Sequence, residues 1–433
     1  ASDVYKRQEL FSSKEIAQVK QDYSSTFVKN MILPVHKWYR YTAGFSAEWV
    51  RELIISEKAN GRCNIIDPFA GSGTVLLESE FQHVNSIGLE AHPYVYRIAK
   101  TKLNWDFNPS LFKEKALQFL EQAKHSNNKI SDYPNLIVRC FTTPVLEKLD
   151  ALKQTWFNLV AEDEMKDFLW FIITSILRPC SYVATAQWQY IQPNKTKSKV
   201  LDPFYAFEAK VSELYFDMLD MQKNQVIEKH SKIYNEDARN IVSIPDKWGD
   251  LVITSPPYAN NYDYADAMRF EMMFWGDIEG WKDLQGTVRK GLIRACTQHV
   301  SGMGKEIESF LLDDSLLPIR KELVAIYNEL SEVRLTHGGK KNYHMMIAAY
   351  FKDMADVFLS LRKVTKDNSL MCFVIGDSAP YGVYVPVQKW LGELALKAGF
   401  SNYSFEKLRD RNIKWKNRKH DVPLQEGRLW IKG

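Results

Sequence analysis

Asp250-Leu251-Val252-Ile253-Thr254-Ser255-Pro256-Pro257-Tyr258 is the stretch on which the reading of the fold turns. A short apolar run that ends in a rigid polar turn reads as a buried parallel strand delivering a loop at its carboxyl end. In open α/β sheets that edge holds the ligand. Consecutive prolines fix φ and remove two N–H donors, which leaves the carbonyls of Ser255 and Pro256 with few local partners. A hydroxyl, free carbonyls and an aromatic face can accept hydrogen bonds from an amino group while stacking on the ring that carries it.

A second corner lies upstream. Arg62-Cys63-Asn64-Ile65-Ile66 is a short apolar strand, Asp67-Pro68-Phe69-Ala70-Gly71-Ser72-Gly73-Thr74 is a glycine turn, and Val75-Leu76-Leu77-Glu78 opens a helix. Glycines there tolerate positive φ and let the backbone approach a ligand. The spacing is neither the dinucleotide pattern nor a P-loop, which disfavours pyrophosphate binding. The next strand, Ser86-Ile87-Gly88-Leu89-Glu90, ends in an acid that can accept both hydroxyl protons of a ribose. Lys232-Ile233-Tyr234-Asn235-Glu236-Asp237-Ala238 is a further strand ending in an acid.

From about residue 105 to 230 helical apolar spacing over 146–160, 164–177 and 204–221 replaces this alternation. The expected architecture is therefore an α/β core over 9–104, 231–275 and 346–433, with helical insertions at 105–230 and 276–345. Inside the first insertion, Trp188-Gln189-Tyr190 leads into a loop with alternating Lys195, Lys197 and Lys199. That pattern suits phosphate contact and equally suits an ordinary solvated loop. The second insertion carries a basic stretch around Arg289–Arg294. Residues 350–364 predict an amphipathic helix with Tyr350, Met354, Val357, Leu361 and Val364 on one face. Residues 370–378 read as another buried strand, and 391–398 as a helix closed by Gly399. The tail pairs two strand-like runs around Lys407–His420, where Lys414, Lys416, Arg418 and Lys419 form either a solvated tip or a phosphate surface. Asp3–Gln8 reads as the translation of a sequencing-transposon end, so residues 1–8 are set aside and the protein is expected to begin near Glu9.

The 433 residues allow two or three domains, or one with large insertions. With 45% hydrophobic and 25% charged residues the composition is that of a soluble globular protein. A net charge of +4 creates no global field that demands nucleic acid, so any basic surface must be local. The five cysteines, Cys63, Cys140, Cys180, Cys296 and Cys372, are scattered without a C-x-x-C pair. Their pattern argues against a disulfide framework or a zinc site and fits a reducing cytosol. The longest strongly apolar run, Phe168 to Leu177, falls well short of the ~20 residues that span a bilayer.

Together, Asp67–Thr74 and Ser255–Tyr258 resemble the exocyclic-amino DNA methyltransferases that use S-adenosylmethionine, in their Ser-Pro-Pro-Tyr form. His36 to Phe45 is similar to the family's motif near the methionine end of the cofactor, and Glu90 and Asp237 fall where its ribose and adenine acceptors lie. Tyr350–Met354, Ile375–Ser378 and Val422–Glu426 match the stretches after the catalytic strand, so the resemblance covers roughly 40–50% of the chain, all in the core. It implies a Rossmann-like class I methyltransferase core, mostly parallel with an antiparallel C-terminal hairpin. It also implies S-adenosylmethionine held by His36, Phe45, Asp67, Phe69, Ala70, Gly71, Ser72, Gly73, Thr74, Glu90, Asp237 and Ala238. Ser255, Pro256, Pro257 and Tyr258 would be the catalytic loop, acting on double-stranded DNA with its target base flipped out.

Ser255 stands where adenine-modifying relatives more often carry Asp or Asn, which tilts the target to the N4 amine of cytosine. N6 methylation of adenine, an RNA amino methyltransferase and an inactive DNA-binding subunit are the alternatives. A cognate restriction endonuclease is the partner that the family implies, and 105–230 is the candidate target-recognition region, with 276–345 competing. Neither a metal nor a cysteine nucleophile is expected.

Overall fold

The computed structural model describes residues 27–41, 44–126, 130–160, 163–184, 197, 199–224, 228–411 and 422–433. Its strands are β1 (Asn64–Asp67), β2 (Asn85–Leu89), β3 (Ser231–Tyr234), β4 (Gly249–Thr254), β5 (Thr365–Gly376), β6 (Asn402–Arg411) and β7 (Leu424–Lys432). Among the described residues they form one seven-stranded sheet in the order β3-β2-β1-β4-β5-β7-β6. Strands β1 to β5 pair in parallel. Strand β7 runs antiparallel between β5 and β6. From β1 the chain builds outward through β2 and β3, then returns to place β4 on the other side of β1. The order thus reverses between β1 and β4, and such a switch opens a crevice at the carboxyl ends of the two strands.

Both faces of the sheet are covered, which is why its central strands are continuous apolar runs rather than alternating ones. Ile65, Leu251, Ile253, Cys372 and Val374 point to one side, where α1 (Ala47–Ala59) and α2 (Thr74–Phe81) pack through Val50, Ile54 and Val75. The Ser46 side chain caps α1 by accepting the Trp49 N–H. Ile66, Val252, Met371 and Phe373 point to the other side, against Met354, Val357, Phe358 and Leu361 of α13 (Tyr343–Val364). That helix starts earlier than 350 and is buried around most of its girth rather than along one stripe. Helices α11 (Gly304–Leu311), α12 (Arg320–Val333) and α14 (Val387–Lys397) share its cluster and cover the face that the spacing left to solvent.

Between α3 (Pro93–Lys102) and β3 come α4 (Pro109–Lys124), α5 (Asn135–Cys140), α6 (Thr143–Asn158), α7 (Asp163–Ile176) and α8 (Pro203–Asn224). They bury Phe112, Phe119, Leu149, Phe168, Phe171 and Phe207 in a cluster that also takes Leu76, Leu77 and Ile98 from the core. Helix α9 (Arg269–Trp275) joins the same cluster, with Phe274 stacked on Tyr133 and Trp275 on Trp170. The short α10 (Leu284–Thr287) follows it. Asp217 of α8 accepts from the Val35 N–H, from Trp38 Nε1 at 2.9 Å and from Lys37 Nζ at 2.7 Å, tying this block to the segment that precedes α1. No helix among the described residues is long and apolar enough to cross a membrane.

Gly427 lies in β7 with strands on either side, and a Cβ there would stand 2.3 Å from the Glu406 carbonyl and 2.5 Å from Phe405 Cζ. Neither backbone nor a packed ring can yield cheaply, so Gly427→Ala should lower unfolding free energy by about 1–3 kcal/mol. Urea titration checks this; an unchanged midpoint would mean that β6 moves freely against β7.

Candidate active site

The carboxyl ends of β1 to β5 open on a cavity of about 370 Å³. Asp67 is the last residue of β1. The Asp67 carboxylate accepts from Thr254 Oγ1 at 2.7 Å and from the Phe69 N–H at 3.1 Å, so it ties the glycine turn to the end of β4. Burial pushes its carboxyl up to about 7, only partly offset by those two bonds. Ala70 then donates to the Leu89 carbonyl, and Gly71 and Gly73 take φ of +52° and +85°. At Gly71 a Cβ would also stand 3.3 Å from the Tyr41 ring, so a side chain there would be both strained by the backbone and crowded by its neighbour.

Glu90, just past β2, accepts from the Gly71 and His92 N–H groups, each at 2.8 Å. Burial dominates here too and raises its carboxyl to about 7. Asp237 receives the Arg239 guanidinium in a bidentate pair, and Arg239 Nη1 reaches on to Asp353 of α13 at 3.0 Å. From β4, Ser255 Oγ donates to the Val374 carbonyl at 3.2 Å. The Tyr258 ring lies below the Arg411 guanidinium, 5.2 Å from its centroid. Gly376 makes room for that pair, since a Cβ there would meet Arg411 at 2.4 Å and Tyr258 at 3.1 Å.

Of the residues named from the sequence, Phe45, Phe69, Gly71, Glu90, Asp237, Ala238, Ser255, Pro256, Pro257 and Tyr258 line this one cavity. Asp67, Ala70 and Gly73 shape the turn without lining it. His36, Ser72 and Thr74 instead bound a much smaller neighbouring space, together with Lys102. His36 Nε2 is 2.9 Å from Glu78, which also pairs with Arg51, and burial lowers the His36 pKa. Lys102 is buried beneath the turn, donates to the Ser72 carbonyl at 2.9 Å and is pushed down to about 7 by desolvation. Lys197 does not stand as a phosphate contact. Its ammonium donates to the carbonyls of Arg178, Ser181 and Val183 at 2.6, 2.7 and 3.1 Å, which uses all three of its hydrogens. Lys199 is exposed. Lys195, Lys414, Lys416, Arg418 and Lys419, like residues 1–8, lie outside the described residues.

Sequence reading gave no place at the cavity to several lining groups, Tyr264, Gly291, Leu292, Ile293 and Arg409, whereas Tyr41 falls within the His36–Phe45 stretch that it set near the cofactor. Glu426, read only as part of a C-terminal strand, also lines the cavity and holds Arg409 at 2.7 Å. Among the described residues His83, Glu228 and His230 could together hold a metal ion. They sit at the amino ends of β2 and β3, the opposite edge from the cavity, and take no part in its chemistry.

A doubly covered sheet with this strand order, a glycine turn and a Ser-Pro-Pro-Tyr loop at its switch point is consistent with a Rossmann-like methyltransferase fold. Homologues of the chain are Type II methyltransferases, of the exocyclic-amino family that its motifs resemble. It is 25% identical over 408 residues to Type II methyltransferase M.AvaI of Nostoc sp., a match covering 87% of this chain and 81% of the relative. It is 26% identical over 416 residues to M.BsoBI of Geobacillus stearothermophilus, with the same 87% and 81% coverage. M.MvaI of Kocuria varians is 21% identical over 412 residues, covering 88% of this chain and 86% of that one. No family model and no solved structure matches the chain.

The raised carboxyl of Asp67 has a consequence for stability. An acid whose folded pKa exceeds its unfolded value stabilises the fold fully below about pH 4, and that stabilisation is lost as pH rises toward 7. Asp67→Asn keeps the acceptor oxygen, so between pH 5 and pH 8 it should lose less stability than the wild type. Denaturant unfolding at the two pH values checks this; parallel losses would mean that Asp67 is ionised throughout.

Proposed function

We propose that the chain transfers a methyl group from S-adenosylmethionine to the N4 amine of cytosine in DNA, with the base extruded from the duplex. The observation that carries this reading is the meeting of two loops. The Gly71–Glu90 pair at the ends of β1 and β2 and Ser255–Tyr258 at the end of β4 line the same cavity. Homology to Type II methyltransferases supports DNA as the substrate. It also supports a place in a restriction–modification system beside a nuclease that reads the same sequence.

The residues present fit the cofactor. A carboxylate offers about four lone-pair sites, so Glu90 retains acceptor capacity for two ribose hydroxyls after its bonds to Gly71 and His92. Gly71 presents backbone with no side chain in the way, Ala238 and Asp237 stand at the adenine position, and Phe45 stands at the methionine end. When bound, S-adenosylmethionine supplies an electrophilic methyl group on a sulfonium.

The chain's own part is to hold and orient the amine. The lone pair of a cytosine N4 is delocalised into the ring, and drawing its hydrogens out of the ring plane restores it. Because the Ser255 hydroxyl hydrogen is directed at Val374, the Oγ lone pairs are left to accept one amine hydrogen. The Pro256 carbonyl accepts the other, and Tyr258 stacks on the base. Positioning and fixed dipoles thus supply most of the catalysis. A serine at position 255 is what favours cytosine over adenine. The helical block 105–230 is proposed to read the target sequence, with 276–345 as the other contender.

Mass spectrometry of nucleosides from DNA methylated by the protein should return N4-methylcytosine; N6-methyladenine instead would overturn the choice of base. Tyr258→Ala should abolish methylation yet keep cofactor affinity, as measured by calorimetry. If cofactor binding disappears with it, Tyr258 belongs to the cofactor pocket. Since an ionised Glu90 is the better ribose acceptor and its carboxyl sits near 7, cofactor binding should tighten as pH rises through 7. Glu90→Gln should flatten that profile, and a wild-type profile that is already flat would remove the assigned role.

A further inference from the structure

The run Arg289-Lys290-Gly291-Leu292-Ile293-Arg294 has the composition of a phosphate-binding segment, yet its two arginines face inward. Arg289 is buried and directs Nε and Nη2 to Asp263 Oδ2 at 3.1 and 2.6 Å. The Trp281 ring lies 4.2 Å from its guanidinium. Asp263 also meets His299 Nε2 at 3.3 Å, and burial notwithstanding, these partners hold its carboxyl down to about 2. At the other end, Arg294 gives Nε and its backbone N–H to the fully buried Asp353, at 3.0 and 2.8 Å. Asp353 is the carboxylate that also receives Arg239, and Arg239 is the partner of Asp237. Arg239 Nη2 donates to the Lys290 carbonyl at 2.9 Å as well.

Four residues lie between the two clamped arginines. Gly291, Leu292 and Ile293 all line the cavity. A Cβ on Gly291 would stand 3.9 Å from that of Ala91, which directly follows Glu90. The segment therefore runs along the β2–β3 side of the cavity, past the ribose and adenine positions. We infer that residues 289–294 form a strap from the second helical insertion that closes the nucleoside end of the cofactor site. Leu292 and Ile293 give it an apolar wall, and Asp353 and Asp263 are its positioning residues. This rests on the cofactor reading given above. It also means that the same strap which grips the cofactor is pinned to Asp263, five residues beyond Tyr258 on the base-binding loop.

Titration calorimetry of the full chain with S-adenosylhomocysteine tests the strap. Leu292→Ala and Asp353→Asn should each weaken binding tenfold or more, while Lys321→Ala, at an exposed position on α12 outside the strap, should leave it within twofold. In the wild type, amide hydrogen exchange over 290–294 should slow on adding S-adenosylhomocysteine, a readout that needs no variant to fold. If the wild type binds the ligand but both variants retain its affinity, or exchange over 290–294 is unchanged, the strap is overturned and the cofactor reading survives. A wild type that does not bind S-adenosylhomocysteine brings both down.

Discussion

Thr254 hands its hydroxyl hydrogen to Asp67 across the point where the strand order of the sheet reverses. Parallel strands that diverge at such a point leave their following loops free to splay, and a ligand crevice forms only if something fixes the width. Here a buried carboxylate fixes it. Asp67 also holds the Phe69 N–H, so one side chain sets the glycine turn relative to the Ser-Pro-Pro-Tyr loop. Glu90 extends the same logic to the next strand by receiving the Gly71 N–H. Acceptors on β1, β2 and β4 therefore share a single rigid edge. The reaction proposed for it depends on atoms being placed rather than on any reactive side chain.

The helical blocks are joined to that core by buried charge. Arg178 meets Glu271 at 2.6 Å, Asp217 gathers three donors from the segment before α1, and Asp353 receives Arg239 and Arg294. Such pairs add little net stability over a hydrophobic contact, but breaking one strands a charge in a dry interior. They therefore fix where one block sits on another, which apolar packing alone leaves free to slide. The helices between β2 and β3 are in this sense part of the architecture around the cavity.

The central strands and the two loops were legible because each is local: a short apolar run, then residues whose backbone restrictions leave few conformations. Glu90 could be read for the same reason, as an acid at a strand end. Tyr264 and Ile293 could not, because their arrival at the cavity depends on how remote segments fold back. Charge was the least legible property. Lys197 and the arginines at 289 and 294 carry the pattern of phosphate contacts, yet their partners are backbone carbonyls and buried aspartates elsewhere along the chain. A basic residue declares its charge in sequence but not its counter-charge. Likewise α13 looked one-sided because the helices that cover its second face are not visible in its own periodicity.

The neighbours in the sheet are remote in the chain. Leu89 pairs with Tyr234 across the whole first helical block, and Val252 with Met371 across the second. Closing such long loops costs entropy before any strand contact repays it, whereas helices form from contacts a few residues apart. A block that is compact brings the ends of its flanking strands near one another and shortens the effective loop. Contact distance along the chain thus favours the peripheral helices over the central strand pairs, the reverse of the functional hierarchy.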